Sequence, residues 1–219
     1  PLLQGAPNLD FVFHSELRFD PEKITLVDNT LCESRLTISQ DNSTTMWHEM
    51  CGTVRLGRMA SKEFYILSDK KPIADLNVRV IDGSTGRPLE FDPVGFEEHT
   101  IKLVIHFPRP LLPGEDYRLI IEYVTTAFQS SGEDFYLHSV VRPIEDIKTI
   151  IRFPESVKVD AIDKSYYQLA GDLKRSLRSY PSKDHHLSVA SDGREIIHSL
   201  KNTPERCMFC IIWNSSPRR

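Results

Sequence analysis

Apolar and polar residues alternate along most of this chain. In DFVFHSELRF, residues 10–19, Phe11, Phe13, Ser15, Leu17 and Phe19 share one face, the pattern of a half-buried strand. Leu31 to Gln40 and Met46 to Leu56 read as two further strands, joined through Asp41-Asn42-Ser43-Thr44-Thr45. Thr100 to Phe107, Asp116 to Thr125, Val157 to Ile162, Leu187 to Ala190, Arg194 to Leu200 and Arg206 to Trp213 continue the series. In Asp116–Thr125, Tyr117, Leu119, Ile121 and Tyr123 fall on one side, and Arg118, Ile120 and Glu122 on the other. Turn-forming residues punctuate the runs: Asp82-Gly83-Ser84-Thr85-Gly86, the proline-rich Pro108–Gly114, and Ser191-Asp192-Gly193, where Asp-Gly between alternating runs is a strong hairpin signal.

One stretch follows a different period. Tyr166, Leu169, Ala170, Leu173, Leu177 and Tyr180 recur at steps of three and four, with Ser165 placed as an N-cap and Pro181 as a stop. This spacing predicts a short helical insertion over 165–180.

A longer pattern occurs twice. FYILSDKKPIADLNVRV (64–80) and FYLHSVVRPIEDIKTII (135–151) share Phe64/Phe135, Tyr65/Tyr136, Ser68/Ser139, Pro72/Pro143, Ile73/Ile144 and Asp75/Asp146, six identities in 17 positions. Proline cannot donate to a sheet ladder, so each copy reads as a strand, a corner and a second strand. The expected fold is therefore mainly β: two related antiparallel β-sandwich-like modules, residues 1–128 and 129–219, divided near Gln129–Asp134, with the helical insertion in the second.

Composition narrows the function. The net charge of −4 and pI near 6.1 argue against a general nucleic-acid binder, which carries a basic excess. No apolar run approaches a membrane span. The 4 cysteines are too few for a disulfide scaffold in 219 residues, so reduced thiols in a cytoplasmic protein are expected. The chain begins at Pro1, without methionine, as a trimmed or processed product does.

Candidate chemistry is sparse. Cys207 and Cys210 have metal-ligand spacing, but no second pair accompanies them, and residues three apart on a strand face opposite ways. Asp184-His185-His186 is the densest titratable cluster and the basis of one alternative, a metal-dependent hydrolase. Tyr166, Tyr167 and Tyr180 as sugar-stacking aromatics would make another, an extracellular carbohydrate or adhesion module. There is no Gly-x-Ser-x-Gly elbow, phosphate loop or dinucleotide fingerprint, so no cofactor is expected. The preferred expectation is a non-catalytic recognition or scaffolding module of a larger protein, binding a protein partner or an adjacent domain. Its candidate contact is the basic face Lys174, Arg175 and Arg178 of the expected helix, in an otherwise acidic chain.

Overall fold

The computed structural model describes residues 25–67, 73–97, 100–126, 128–140, 142–168, 176–177, 184–203 and 207–218. The expected strand at 10–19 lies outside them. Within them the chain is nearly all β, in three sheets. The strands are β1 (Leu26–Ile38), β2 (Thr44–Leu56), β3 (Met59–Leu67), β4 (Arg79–Asp82), β5 (Phe91–Glu97), β6 (Thr100–Leu111) and β7 (Asp116–Thr125). They continue as β8 (Gly132–Val140), β9 (Ile144–Arg152), β10 (Val157–Gln168), β11 (Ser176–Leu177), β12 (His185–Val189), β13 (Glu195–Thr203) and β14 (Cys207–Pro217). A seven-stranded sheet has the order β12-β13-β9-β1-β2-β7-β4; a four-stranded sheet, β11-β10-β14-β8; a three-stranded sheet, β3-β6-β5.

Alternation places every second side chain of the large sheet against the two smaller ones. Leu36, Ile38, Met46, Val54, Leu119 and Ile121 from the large sheet share one buried cluster with Ile66, Leu103 and Ile105 of the three-stranded sheet and with Ile211 and Trp213 of the four-stranded sheet. Cys32, Ile147 and Leu200 form a second cluster with Val140, Cys207 and Phe209. Burying each such side chain contributes about 1.5–3 kcal/mol.

The pairings are antiparallel with one exception. β1 runs parallel to β9, with Ser34 opposite Thr149 and Leu36 opposite Ile151. The large sheet therefore takes β1, β2, β4 and β7 from before residue 129 and β9, β12 and β13 from after it.

Three local features differ from the sequence expectation. Where 165–180 is expected to be helical, residues 165–168 prolong β10, with Ser165 opposite Cys210 and Tyr167 opposite Met208, and Ser176–Leu177 pair back on Tyr167–Gln168. The long ladder with β14 gives these backbone groups partners that local periodicity does not anticipate. The other residues of that stretch lie outside the described ones.

The turn expected at Pro108–Gly114 is narrower, because β6 runs on to Leu111. Its prolines fall where the register slips, between the Ser61–His106 and Met59–Leu111 pairs, so the missing N–H groups leave the ladder intact. The two copies of the repeat both cross between sheets, from β3 to β4 and from β8 to β9. They part after the corner: Ile73–Leu76 make a 3-10 turn, while Ile144 opens a strand.

Candidate functional site

Four polar side chains interrupt the apolar face of the large sheet at one level. His198 on β13, Thr149 on β9, Ser34 on β1 and His48 on β2 stand opposite one another in strand order. They are 2%, 0%, 1% and 5% exposed. The rows on either side are apolar: Leu200, Ile147, Cys32 and Met50 above, Ile196, Ile151, Leu36 and Met46 below. The polar row thus separates the two buried clusters.

Part of the row is a closed hydrogen-bond chain. The Tyr136 hydroxyl donates to Ser34 Oγ at 3.1 Å, and Ser34 Oγ lies 2.9 Å from His48 Nδ1. His48 Nε2 lies 3.3 Å from the Tyr123 hydroxyl. With Tyr136 donating to Ser34, the serine hydroxyl is left to donate to Nδ1, and His48 carries its proton on Nε2. Burial, with a smaller contribution from His138, pushes His48 down to about 3, so the ring is neutral. Burial also raises both tyrosines far above their ordinary value. A serine next to a histidine suggests a nucleophile and base, but both are enclosed between sheets. The Phe64 ring, 5.1 Å from the His48 ring, covers it from β3. The chain fixes the packing of β8 on β1 and β2; it offers no path for a substrate.

The other half of the row is only partly satisfied. His198 Nε2 lies 3.0 Å from His185 Nε2 on β12, the two rings edge to face. His198 Nδ1 and Thr149 Oγ1 have no hydrogen-bond partner among the described residues.

The opposite face of the large sheet has a different chemistry. Arg35, Trp47 and Glu122 stand in one row, with Ile150, Ile197 and Arg79 at its flanks. The Arg35 guanidinium lies 4.3 Å from the centre of the Trp47 ring. In the next row Glu33 faces Glu49 directly, an unfavourable pairing unless each carboxylate is bracketed. Arg35 Nε reaches Glu33 at 2.7 Å, Lys148 Nζ stands 3.8 Å from it, and Arg118 Nε binds Glu49 at 2.5 Å. Trp47, Ile120 and Ile197 on this face are half-buried, and none of them belongs to either buried cluster.

The residues singled out in the sequence do not converge. His185 and His186 are neighbours on β12 and so face opposite ways: His185 turns to His198, and His186 Nε2 lies 2.9 Å from Ser188 Oγ. Among the described residues no three His, Cys, Asp or Glu side chains are grouped as metal ligands. Cys207 and Cys210 lie three apart on β14, and both are buried. Burial pushes each thiol up to about 12, far from thiolate chemistry. Lys174, Arg175 and Arg178 lie outside the described residues, as do the side chains of Tyr166 and Tyr167 and all of Tyr180.

The polar row was missed in the sequence, although a signal exists. Each member sits on the apolar phase of its strand with apolar residues two positions away on both sides: Cys32-x-Ser34-x-Leu36, Met46-x-His48-x-Met50, Ile147-x-Thr149-x-Ile151 and Ile196-x-His198-x-Leu200.

No family model matches the sequence. No curated protein matches it. Among solved structures, a candidate protease from Parabacteroides distasonis aligns at 14% identity over 86% of this chain and 40% of that chain, with a TM-score of 0.51. An M1 zinc metallopeptidase from Deinococcus radiodurans aligns at 13% identity over 84% of this chain and 42% of that chain, with a TM-score of 0.43. The chain spans about two fifths of the length of the solved structures it matches, and what it shares with the first of them is the fold alone.

Proposed function

We propose that this chain is a non-catalytic recognition or scaffolding module of a larger protein, docking on an adjacent domain or a protein partner through the outer face of its seven-stranded sheet. The observation that carries this reading is the Arg35–Trp47 pair in one row with Ile150 and Ile197, framed by the bracketed carboxylates of Glu33 and Glu49. Aromatic and arginine side chains beside apolar neighbours are what docking surfaces concentrate at their centres. The matched structures extend well beyond the shared fold, which supports a neighbour within the same chain as the occupant.

Hydroxyl-radical footprinting tests the proposal, comparing this chain alone with the longer protein. Trp47 is expected to be oxidised several-fold more slowly in the longer protein. Trp213, 1% exposed, serves as the internal control that stays protected in both. Equal oxidation of Trp47 in the two samples would remove this face as the docking surface.

The basic stretch Lys174, Arg175 and Arg178 is a second contact in the same proposal, supported by its charge in an acidic chain. Reversal of all three charges is expected to weaken association and its salt dependence while the melting temperature stays nearly constant. A metal-dependent hydrolase built on Asp184, His185 and His186 gains no support, because the two imidazoles face opposite sides of the sheet.

A further inference from the structure

We propose that the His185–His198 pair is an acid-released latch that holds edge strand β12 on the large sheet. The pair joins β12 to the interior beside Leu187 and Val189, which pack against the main buried cluster. β12 is five residues long and, among the described strands, pairs only with β13. At an Nε2–Nε2 distance of 3.0 Å one ring donates and the other accepts. Two imidazolium rings would bring two N–H groups together there, so the contact cannot survive full protonation.

His198 has little capacity to carry a proton in place. It is 2% exposed, and its Nδ1 has no partner to receive an added N–H. The groups that act on it are His185 across the contact, His138 from β8, Lys164 from β10 and, from the other face of β12, His186, each neutral or positive. Its row neighbour Thr149 is neutral as well. Burial, then the nearby His185, His138, Lys164 and His186, pushes His198 down to about 3. Burial, Lys164 and His186 push His185 down to about 4.

The sign follows from linkage. Both rings bind protons more weakly in place than when released into water, where the ordinary value is near 6.5. The latch is therefore at full strength above about pH 6.5 and loses strength as pH falls toward 4. The equilibrium constant for release should rise roughly ten- to a hundredfold per pH unit, the half-exposed His185 contributing less than His198. Release leaves the edge of β13 unpaired, a template for another strand.

Amide hydrogen exchange of the whole chain, corrected for the intrinsic pH dependence, tests the latch. Between pH 7.5 and 5.5, residues 185–189 should lose more than tenfold of their protection while remaining less protected at each pH than residues 116–125 of β7, whose exchange reports global unfolding. In a His185→Leu/His198→Leu variant the pH dependence at 185–189 should vanish. Equal protection of β7 and β12 across this range, which would mean that β12 opens only by global unfolding, or an unchanged slope at 185–189 in the variant, would overturn the proposal. If the variant fails to fold, NMR titration of the native imidazoles decides: a value at or above 6 for His198 in the folded protein rejects the latch, and a value below 5 upholds it.

Discussion

Gly52 shows how one residue is dictated by its neighbours. A Cβ built there would collide with the Asp28 carbonyl oxygen and lie 2.8 Å from the Tyr117 ring. The Tyr117 hydroxyl donates to Asn29 Oδ1 at 2.8 Å, beside the register shift between Asn29 and Leu31, so the ring cannot retreat freely. Gly52→Ala should lower stability by about 1–3 kcal/mol in urea unfolding; an unchanged midpoint would mean that Tyr117 moves without penalty. The polar row makes two opposite forecasts. Ser34→Ala strands both the Tyr136 hydroxyl and His48 Nδ1, and should cost about 1–3 kcal/mol. Thr149→Val removes a buried hydroxyl that has no partner among the described residues, and should be neutral or stabilise by up to about 1 kcal/mol. A clear loss of stability in Thr149→Val would show that the hydroxyl is satisfied in solution.

At the scale of elements, β14 is the strand around which the four-stranded sheet is built. Its residues Cys207 to Ile211 are all buried, so both faces of the strand are covered. That is why Cys207 and Cys210, on opposite faces, are both inaccessible. The native protein should react with a thiol reagent first at Cys51, which is half-buried, and at Cys32, Cys207 and Cys210 only on unfolding. Mass mapping of the labelled thiols checks this, and early labelling of Cys207 or Cys210 contradicts it. The hairpin turns have simpler causes. Asp82 receives the backbone N–H of Ser84 at 2.9 Å and the Thr85 hydroxyl at 2.8 Å, while Gly86 takes a positive φ of 72° that favours glycine.

At the scale of the molecule, the parallel β1–β9 pairing binds the two halves of the chain into one sheet. Chains 1–128 and 129–219 made separately would each turn one of these strands into an exposed edge, β1 keeping only β2 and β9 only β13 as neighbours in that sheet. Neither should melt cooperatively alone, and mixing them should restore a transition; a sharp melt of either half by itself would show that it folds independently. Stability should also depend on pH. His48, His138, His185 and His198 are all depressed, by burial first. The unfolded chain therefore gains protons below about pH 6.5 that the folded chain refuses, and stability falls as pH drops toward 4. Each fully buried ring contributes at most about 1.4 kcal/mol per pH unit, and the partly exposed His138 and His185 contribute less.

What the sequence by itself determined is local. Alternation placed most strands between Leu31 and Trp213, though not β5 or β11, the Asp192-Gly193 hairpin appeared where its dipeptide required it, and the i, i+3 spacing of Cys207 and Cys210 assigned them to opposite faces. These properties depend on residues a few positions apart, which a period or a turn preference can read. The tertiary structure alone decided which strands meet. Ser34 finds Thr149 and His48, His198 finds His185, and Arg35 settles over Trp47 because packing of distant apolar faces sets the register, and one register aligns all of these at once. The stretch 165–168 shows the same limit from the other side: its helical period was real in sequence, but the unpaired backbone of β14 offered a longer ladder, and the non-local hydrogen bonds prevailed.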